Sequence, residues 1–545
     1  MSPLDASHPA AIAALVVAAA CVLVSVSFRL YDAETWEHLA VGRTIWQGHV
    51  WPVTNLWTWP TYGEPNVNPS WGFSALLWPF WAHGGVTGLF AWRWLTTLAS
   101  FTLLWLTARR LGARGLTPLV VLAIAALVYR QRSQVRPETL AAVWFALTLW
   151  LLESGRAGRP SRYPYLVPVA GAWANTHVSY WIGLALMAIH LAGAIRRARL
   201  ALVMLACIAI SFVNPTGWHA LARPFEFALL WRDDPLFAQI SELQPLDWAA
   251  NVWTGLPILL VGWPVLVVWR ALRKRGDVVE GLVCLMFSAL VLAGSRFVSL
   301  YSLACAPYFA RDLATVIERV RAPAPLRPAW ARAGLACALC VGAGLYPWAR
   351  LEPPPGIAFD QQRMPVWACE FIARTGIRGR ALNHFYLGGY LLWRFEGKPD
   401  LLPFMDIHPE DTAPDVRLDY LRALISPIAF DRFDLRWRFD WALLSRRYSD
   451  RPGILDILDH DPSWALVFVD DVAAVYVRRD GELRSIADRY AYRVVRGSRM
   501  AAPGIIAAAQ ADSALRIALA AELARQAHES PVNFYGRSML RTIGN

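Results

Sequence analysis

The amino-acid sequence predicts a polytopic α-helical membrane protein of about eleven transmembrane helices, followed by a soluble α/β domain and a helical tail. Hydrophobic residues make up 56% of the 545 residues and charged residues only 17%, whereas soluble proteins carry about 25% charged residues. The apolar residues lie in runs long enough to cross a bilayer. Charges become frequent and apolar runs become short after Leu351. We therefore expect a transmembrane module at 1–350 and a soluble part after it.

Arginine-rich loops between the apolar runs predict the topology. Five clusters begin at Arg109, Arg156, Arg196, Arg270 and Arg311. The positive-inside rule places all of them in the cytoplasm, so an even number of spans separates consecutive clusters. The last span then exports the C-terminal domain. The predicted spans are 10–28, 87–108, 117–129, 138–153, 163–175, 179–195, 200–213, 254–272, 278–294, 297–311 and 333–349.

The segment 71–83 is predicted to be an interfacial or re-entrant helix rather than a span. A helix of this length covers only about 20 Å of the roughly 30 Å hydrocarbon core. It contains Pro79 and ends in His83-Gly84-Gly85. The first loop, about 29–86, then lies outside the cytoplasm with the C-terminal domain. Arg29 argues mildly against this orientation, because it places a positive charge outside.

Acidic residues and a histidine follow the first apolar run directly. Asp32, Glu34, Glu37 and His38 lie within one short segment, and such side chains are costly near hydrocarbon, so they usually serve a function. The competing interpretation is structural, in which the carboxylates cap an interfacial helix or form an ion pair. The candidate partners for such a pair are Arg29 and Arg43.

Two outward turns carry arginines against the topology rule. Arg132 and Arg136 lie in one turn, and Arg296 lies in the other. Guanidinium groups match phosphate oxygens in geometry, so an anionic ligand would account for them. The alternative, which we weigh equally, is that these arginines reach lipid headgroups or pair with Glu138.

A further outward turn places Asn175 and His177 on the same predicted membrane face as Asp32. This shared face makes them candidates for a common cavity. A lone histidine is more often a hydrogen-bonded packing residue than a catalytic group, so each signal is weak by itself.

Composition and motifs exclude several other classes. The net charge is +12, but much of the arginine excess sets the topology, so nucleic acid is not an expected partner. No P-loop or Rossmann-type glycine pattern occurs where a nucleotide site would need one. The seven cysteines are interpreted as small apolar residues, not as disulfide or metal ligands.

Several segments resemble the GT-C glycosyltransferase superfamily of bacterial membrane proteins. The run that begins DAETWEHLAVGRTIWQGHVWP is similar to the first external loop, in which an acidic Asp-x-Asp/Glu-like motif follows the first helix. Asp32 and Glu34 match this motif. The segments that resemble one branch of the superfamily are RSQVRPETLAAVWFAL, AWANTHVSYWIGLAL, SFVNPTGWHALARP, AGSRFVSLYSLACAP, MPVWACEFIARTGIRGRALNHFYLGGYLLWRF and WALVFVDDVAAVYVRR.

One departure from that branch lies in the outer domain. Where its members have an Asp-Gly-Arg-like sequence, this chain has Phe404-Met405-Asp406-Ile407-His408. Any role of the arginine in that motif is therefore not assigned to a residue of this chain.

The resemblance implies an integral enzyme of the bacterial inner membrane that transfers a sugar from a polyprenyl-phosphate donor to an acceptor hydroxyl. The reaction would take place at the outer face, with the lipid tail of the donor between the helices. Asp32 would be the general base that accepts the proton of the acceptor hydroxyl. Glu34 would orient the acceptor or hold a divalent cation, with Mg²⁺ and Mn²⁺ as the candidates.

The resemblance also implies that positive charge stabilises the leaving phosphate. Arginines of the two outward turns would supply this charge, with a histidine assisting. The residues implied in substrate binding are His38, Arg132, Arg136, Asn175, His177 and Arg296.

The region 351–480 is predicted to be an extracytoplasmic α/β domain that binds the acceptor, covers the site or contacts a partner protein. Asp406, Glu410 and Asp411 are expected to be solvated loop residues, with Asp406 at a strand end. A hairpin turn is expected at Asp470-Asp471. The predicted strands are 380–385, 401–407, 440–445, 464–470 and 473–478, and the predicted helices are 364–375, 386–395, 413–425 and 452–460.

The region 481–545 is predicted to be a helical tail that resembles one tetratricopeptide unit. A single unit cannot bury its own core, so it should pack on the preceding domain or on another chain.

The sequence is compatible with two functions from different classes. The first is glycosyl transfer with Asp32 as the base, and its expected partners are the lipid-linked donor and membrane lipids. The second is a non-catalytic membrane scaffold that binds partners through its outer domain. A transporter is less favoured, because the sequence shows no inverted repeats.

Overall fold

The computed structural model describes residues 4–5, 7–319, 323–349, 353–447 and 452–544. The chain forms two compact units. The first unit comprises Met1–Leu30, Asn68–Asp233 and Phe237–Ala358, and the second comprises Tyr31–Val67, Asp234–Leu236 and Phe359–Asn545. Residues 31–67 of the predicted first loop therefore fold with the C-terminal part of the chain.

The first unit is helical, and its helices coincide in position with the predicted spans. Two helices of the described chain are long and apolar enough to cross a membrane, namely Trp71–Arg110 and the segment Ala329–Tyr346. The count of about eleven spans therefore stays a prediction. The longer helices of this unit are Pro9–Ser25, Trp71–Arg110, Thr117–Tyr129, Pro137–Arg156, Leu166–Ala174, Tyr180–Leu191, Arg197–Ser211, Leu256–Leu272, Val278–Ala293, Val298–Arg319 and Ala329–Ala349.

The helix Trp71–Arg110 is broken at Gly85, whose φ of 52° and ψ of −133° are not helical. The segment before the break folds back on the segment after it, because the rings of Phe80 and Trp92 lie 5.2 Å apart. Gly88 permits this approach, since a Cβ there would lie 1.8 Å from the carbonyl oxygen of Phe80. The predicted separate helical segment at 71–83 is thus present, and its depth in a membrane stays a prediction.

Several buried charges of the first unit form ion pairs. The carboxylate of Glu153 lies 3.1 Å from His190 Nε2 and accepts a 2.6 Å hydrogen bond from the Tyr308 hydroxyl. Arg156 binds Glu153 at 2.9 Å and Asp277 at 2.8 Å. Such pairing is required because an isolated charge in an apolar interior is costly.

The second unit is built on a four-stranded sheet. Its strands are β1 (Ala381–Asn383), β2 (Trp441–Ser445), β3 (Trp464–Val469) and β4 (Ala473–Arg478). The spatial order is β1-β2-β4-β3. β1 pairs with β2 in parallel, and β4 runs antiparallel to both β2 and β3. The hairpin predicted at Asp470-Asp471 joins β3 to β4, as expected.

The strand predicted at 401–407 is wrong. A short 3-10 turn at Pro399–Leu401 is followed by irregular backbone. The side chain of Asn383 takes the place of a strand ladder, because its Oδ1 accepts from the Phe404 amide and its Nδ2 donates to the Met405 carbonyl, both at 2.7 Å. The segment is thereby fixed to the end of β1 without pairing as a strand.

The predicted helices of the outer domain are present, and one further helix was missed. The missed helix is Pro427–Trp437, whose N-cap Ser426 accepts from the Ala429 amide. Serine followed by proline is a helix-start signal that the sequence carried. The remaining helices of the second unit are Glu34–Gly48, Val366–Thr375, Phe385–Phe395, Pro414–Ala423, Ile454–His460, Arg484–Tyr490, Ala502–Ala511, Ser513–Glu529 and Phe534–Gly544.

The helical tail packs on the domain that precedes it. Leu519, Leu523 and Met539 belong to the same buried cluster as Leu466 of β3 and Tyr476 of β4. This is one of the two arrangements that the sequence allowed for the tail.

Candidate functional site

The acidic segment of the first loop begins a helix, Glu34–Gly48. Asp32 Oδ1 accepts a 2.9 Å hydrogen bond from the amide of Glu34, the first residue of this helix, while Ala33 is the N-cap residue. Arg43 binds Glu396 and donates to the Trp393 carbonyl at 2.9 Å. Asp32 and Glu34 are therefore held at the first turn of a helix, where negative charge is favourable.

One face of this helix is buried within the second unit. The Trp36 ring lies 4.3 Å from the ring of Phe359 and 5.0 Å from that of Tyr390. Its Nε1 lies 3.3 Å from the sulfur of Met364. The next residue, Glu37, is on the buried side and only 6% exposed.

Glu37 meets two residues from the far end of the chain. Its carboxylate oxygens lie 2.6 and 2.7 Å from Nδ1 of His408. One ligand atom each of Glu37, Asp406 and His408 lies within 4.8 Å of the other two. Asp406 is 8% exposed, and its Oδ1 accepts a 2.9 Å hydrogen bond from the His408 amide. We refer to these three residues as the Glu-Asp-His cluster.

The expectation that Asp406 is a solvated loop or strand-end residue is wrong. The irregular backbone after Leu402 turns its carboxylate into the protein, and Asn383 fixes that backbone on the preceding residues. The signal in the sequence was the spacing Asp406-x-His408 directly after an apolar run, which resembles a ligand pair.

Close backbone contacts hold the cluster together. A Cβ on Gly388 would lie 2.5 Å from the Met405 carbonyl oxygen and 2.7 Å from Asp406 Cα. A Cβ on Gly389 would lie 2.4 Å from the Ala33 carbonyl oxygen. The helix Phe385–Phe395 therefore presents two glycines to the two chain segments that carry the cluster.

Arg417 fixes the chain that follows the cluster. Its guanidinium group donates to the carbonyls of Pro409 and Thr412, at 3.2 and 2.5 Å, and to Asp234 Oδ2 at 2.7 Å. Because Arg417 is 2% exposed, this ion pair is shielded from solvent. The loop that bears Asp406 and His408 is thus anchored on both sides.

The electrostatics of the cluster follow from burial of two acids beside one base. Burial, reinforced by the Glu37 carboxylate, raises the pKa of Asp406 well above its usual range. Removal from water alone would lower the pKa of His408, but the Glu37 carboxylate outweighs it and raises that pKa well above the ordinary value. Protons or a cation must therefore neutralise the cluster.

His38 and Glu34 lie next to this cluster. His38 is 1% exposed, with Nε2 3.3 Å from Glu34 Oε1. The ring centroids of His38 and His408 are 6.1 Å apart. Two of the residues expected from the sequence, Glu34 and His38, therefore share a site with residues that sequence reasoning did not assign to one.

The predicted arginines come together in the first unit. Arg132 binds Glu242 at 2.5 Å, and Arg136 binds Glu242 at 3.0 Å and Glu138 at 3.1 Å. Arg296 lies within electrostatic range of the same four residues. Burial alone would raise the pKa of Glu242, but the Arg136 and Arg132 guanidinium groups hold it well below the usual range. Three arginines thus face two carboxylates, which leaves a formal excess of positive charge.

Asn175 and His177 have packing contacts in the same unit. Asn175 Oδ1 accepts from Trp71 Nε1 at 2.9 Å, while Nδ2 donates to the carbonyls of Gly171 and Val213. His177 Nδ1 lies 2.6 Å from the Ser179 hydroxyl. These bonds use both amide hydrogens of Asn175 to fix a helix end.

The donor set of the Glu-Asp-His cluster suits a divalent cation, because carboxylate oxygens and an imidazole nitrogen are ligands of Zn²⁺ and similar ions. Glu34 and His38 lie beside it and do not belong to the ligand group found among the described residues.

Comparison with solved structures identifies the architecture. No known family model matches this sequence, and no curated protein matches it. The oligosaccharyltransferase AglB from Archaeoglobus fulgidus, solved with an inhibitory peptide and a dolichol-phosphate, is similar with a TM-score of 0.57 and 12% identity. The match covers 80% of this chain and 69% of AglB. A complex of the same enzyme with Zn and sulfate gives 0.54 and 12%, over 85% of this chain and 73% of that one.

A second glycosyltransferase shares the fold. Arabinofuranosyltransferase AftD from mycobacteria matches with a TM-score of 0.52 and 16% identity, over 87% of this chain and 42% of AftD. The chain therefore shares the fold of these two glycosyltransferases, which is the fold that the sequence resemblance implied.

Proposed function

We propose that this protein is a multi-pass membrane glycosyltransferase that uses a polyprenyl-phosphate-linked sugar donor at the outer face of the membrane. The observation that carries the proposal is the GT-C-like fold, shared with AglB over 80% of this chain. AglB was solved with a dolichol-phosphate, a lipid of the proposed donor class. The acidic motif at the first turn of Glu34–Gly48 supplies the chemistry that such a transfer needs.

Asp32 is assigned as the general base. Its Oδ1 is held by the Glu34 amide at 2.9 Å, which fixes the direction of the carboxylate. A base must lie within hydrogen-bond reach of the acceptor hydroxyl as the glycosidic bond forms, and the donor phosphate leaves with the bonding electrons. Glu34, held by His38 at 3.3 Å, is assigned to orient the acceptor.

Arg132, Arg136 and Arg296 are assigned to the donor phosphate. Together with Glu138 and Glu242 they retain a formal excess of positive charge. A leaving phosphate is already an anion and needs positive charge rather than a general acid. Binding of the phosphate would require Glu242 to give up part of its contact with the two arginines.

The proposal is tested in the source organism by deletion of the gene and mass spectrometry of the membrane lipids. Loss of the transferase should cause a polyprenyl-phosphate-linked sugar to accumulate. The wild-type gene should restore the profile, and Asp32→Asn should not, because loss of a general base lowers the rate by about 10²–10⁴-fold. Asp480→Asn, which changes an exposed carboxylate of the same protein, is the matched control.

Expression and thermal unfolding of the variants are compared in detergent, so that a folding defect is recognised. A normal lipid profile with Asp32→Asn at wild-type abundance would contradict the proposal. That result would favour the non-catalytic scaffold.

A further inference from the structure

The Glu-Asp-His cluster has the composition of a metal site. Glu37 comes from the helix Glu34–Gly48, whereas Asp406 and His408 come from the loop that follows the helix Phe385–Phe395 and the turn Pro399–Leu401. Two carboxylate oxygens and one imidazole nitrogen lie within 4.8 Å of one another. Glu37 and Asp406 are 94% and 92% buried, because their exposed fractions are 6% and 8%. Burial of two acids at one point is costly unless a cation compensates them.

The carboxylate of Asp406 supplies an independent observation. Its Oδ1 accepts the His408 amide at 2.9 Å. Among the described residues Oδ2 receives no hydrogen bond from the protein, and it is not one of the fully buried atoms that lack a partner, so it is accessible to an ion. A carboxylate oxygen that no protein donor occupies is available as a metal ligand.

The geometry is close to what a single ion requires. Ligand atoms at 2.0–2.2 Å from a tetrahedral ion are about 3.4 Å apart. His408 and Glu37 are 2.6 Å apart, and all three ligand atoms lie within 4.8 Å of one another. The ion would replace the hydrogen bond between these two side chains, and rotation of the Asp406 carboxylate would close the longer gap.

The ligand types select the metal class. Mg²⁺ and Ca²⁺ prefer oxygen ligands only, whereas an imidazole together with carboxylates suits Zn²⁺ and related first-row ions. Three protein ligands leave the remaining coordination position to water. The His408 side chain is 32% exposed, so an ion has a route from solvent.

We propose that Glu37, Asp406 and His408 bind a divalent first-row transition-metal ion, with Zn²⁺ as the reference ion, that links the helix Glu34–Gly48 to the loop after the turn Pro399–Leu401. This site uses none of the residues assigned to acid–base chemistry or to the donor phosphate, so it does not depend on the proposed transfer reaction. Its role is to hold Glu37, and with it the first turn that carries Asp32 and Glu34, in a fixed position.

The test is metal binding by the full-length protein in detergent. The protein is stripped with a chelator and dialysed, then titrated with Zn²⁺ by calorimetry, with metal analysis of the product. We expect one tightly bound Zn²⁺ per chain beyond any weak surface binding. Asp406→Asn and His408→Gln should each weaken that binding by at least about a hundredfold, since even loss of an outer hydrogen-bond partner costs 10–100-fold.

Asp400→Asn and His460→Gln are the matched controls, because both residues are exposed and lie in the same unit. Co²⁺ substitution supplies a second readout, since a tetrahedral Co²⁺ site absorbs visible light much more strongly than an octahedral, surface-bound ion. The variants are also unfolded thermally, and Zn²⁺ should raise the midpoint of wild type and of the controls only. Equal Zn²⁺ binding by wild type and by folded Asp406→Asn, or no bound ion in wild type, would overturn the proposal.

Discussion

Nδ1 of His408 lies 2.7 Å from Oε2 of Glu37, although 371 residues separate them in the chain. This contact joins the first turns of the first-loop helix to the outer domain within one compact unit. Residues 31–67 therefore fold as part of the second unit. The acidic residue Glu37 of this segment is held by a contact with the C-terminal part of the chain.

Gly388→Ala should destabilise the second unit and weaken metal binding. The added Cβ would lie 2.5 Å from the Met405 carbonyl oxygen and 2.7 Å from Asp406 Cα, and backbone atoms cannot move aside without shifting the cluster. Overpacking of this kind costs about 1–3 kcal/mol. Thermal unfolding in detergent and Zn²⁺ titration measure the two effects.

Gly504→Ala is the control for that substitution. Gly504 also lies in a helix. Apart from its chain neighbours and the backbone of its own helix, no atom of the described residues lies within 4 Å of the added Cβ. Alanine is the better helix former by about 1 kcal/mol, so this variant should be neutral or slightly stabilised. Equal behaviour of the two variants would show that the close approach at Gly388 is unimportant.

Arg417→Ala should lower the free energy of unfolding by about 3–5 kcal/mol, because it leaves the carboxylate of Asp234 without its buried partner. Arg417 is 2% exposed and Asp234 is 12% exposed. The substitution also removes the donors to the carbonyls of Pro409 and Thr412. Chemical denaturation of the full chain measures the loss.

Arg422→Ala on the same helix, Pro414–Ala423, is the comparison. Arg422 is 61% exposed and lies 3.8 Å from Asp419. Solvent-exposed ion pairs contribute about 0–1 kcal/mol, so this variant should stay close to wild type. A large effect at both positions would indicate that charge on the helix, rather than burial, determines the stability.

Arg296→Gln should weaken the binding of polyprenyl phosphate about tenfold or more. The substitution removes the excess positive charge of the arginine group and leaves the Arg132 and Arg136 bonds to Glu242 in place. A charge-assisted hydrogen bond contributes about 1.5–3 kcal/mol. Native mass spectrometry with a polyprenyl phosphate measures the affinity.

Arg223→Gln tests whether any other arginine of the first unit would give the same result. Arg223 pairs with Glu226 at 3.4 Å, so its loss changes the net charge equally. Affinity should be preserved in this variant. A similar decrease in both variants would mean that the arginines act only through general electrostatic attraction.

Sequence reasoning succeeded where one local signal decided the structure. Apolar runs located the helices, and the Gly84-Gly85 break and the Asp470-Asp471 turn were local signals as well. It failed at 401–407, because a side chain remote in sequence, Asn383, took the hydrogen bonds that a strand would have used. The alternation of apolar residues that predicted the strand does not show that a side chain such as Asn383 binds this backbone.

In the candidate site, too, residues with a local sequence signal were predicted, and residues that depend on a distant partner were not. Asp32, Glu34 and His38 were identifiable because ionisable residues beside an apolar run are unusual. Asp406 and His408 were not assigned to a site. The contact that identifies the site is the one between His408 and Glu37, which are 371 positions apart in the chain. The arginines were identified as a group from their topology, but Glu242, which binds two of them, was hidden in a loop with several other acids.

Asp470→Asn should stabilise the protein at neutral pH and not at acid pH. Burial raises the pKa of Asp470 to about 6, although the amides of Val472 and Ala473 and the Ser530 hydroxyl donate to its carboxylate. The unfolded chain ionises this acid near the ordinary value of 3.8. Between these values the folded state binds more protons than the unfolded state, so stability is full below pH 3.8 and decreases as the pH rises through about 6.

The expected gain for Asp470→Asn follows from that difference. The two pKa values correspond to about 3 kcal/mol, which is the upper limit of the gain at pH 7. Asparagine keeps an acceptor for the two amides and carries no charge, so wild type and variant should converge near pH 4. Thermal unfolding at pH 4, 5, 6 and 7 measures the convergence, with the exposed Asp480→Asn as control. A pH-independent difference would show that hydrogen bonding, and not the buried charge, separates the two proteins.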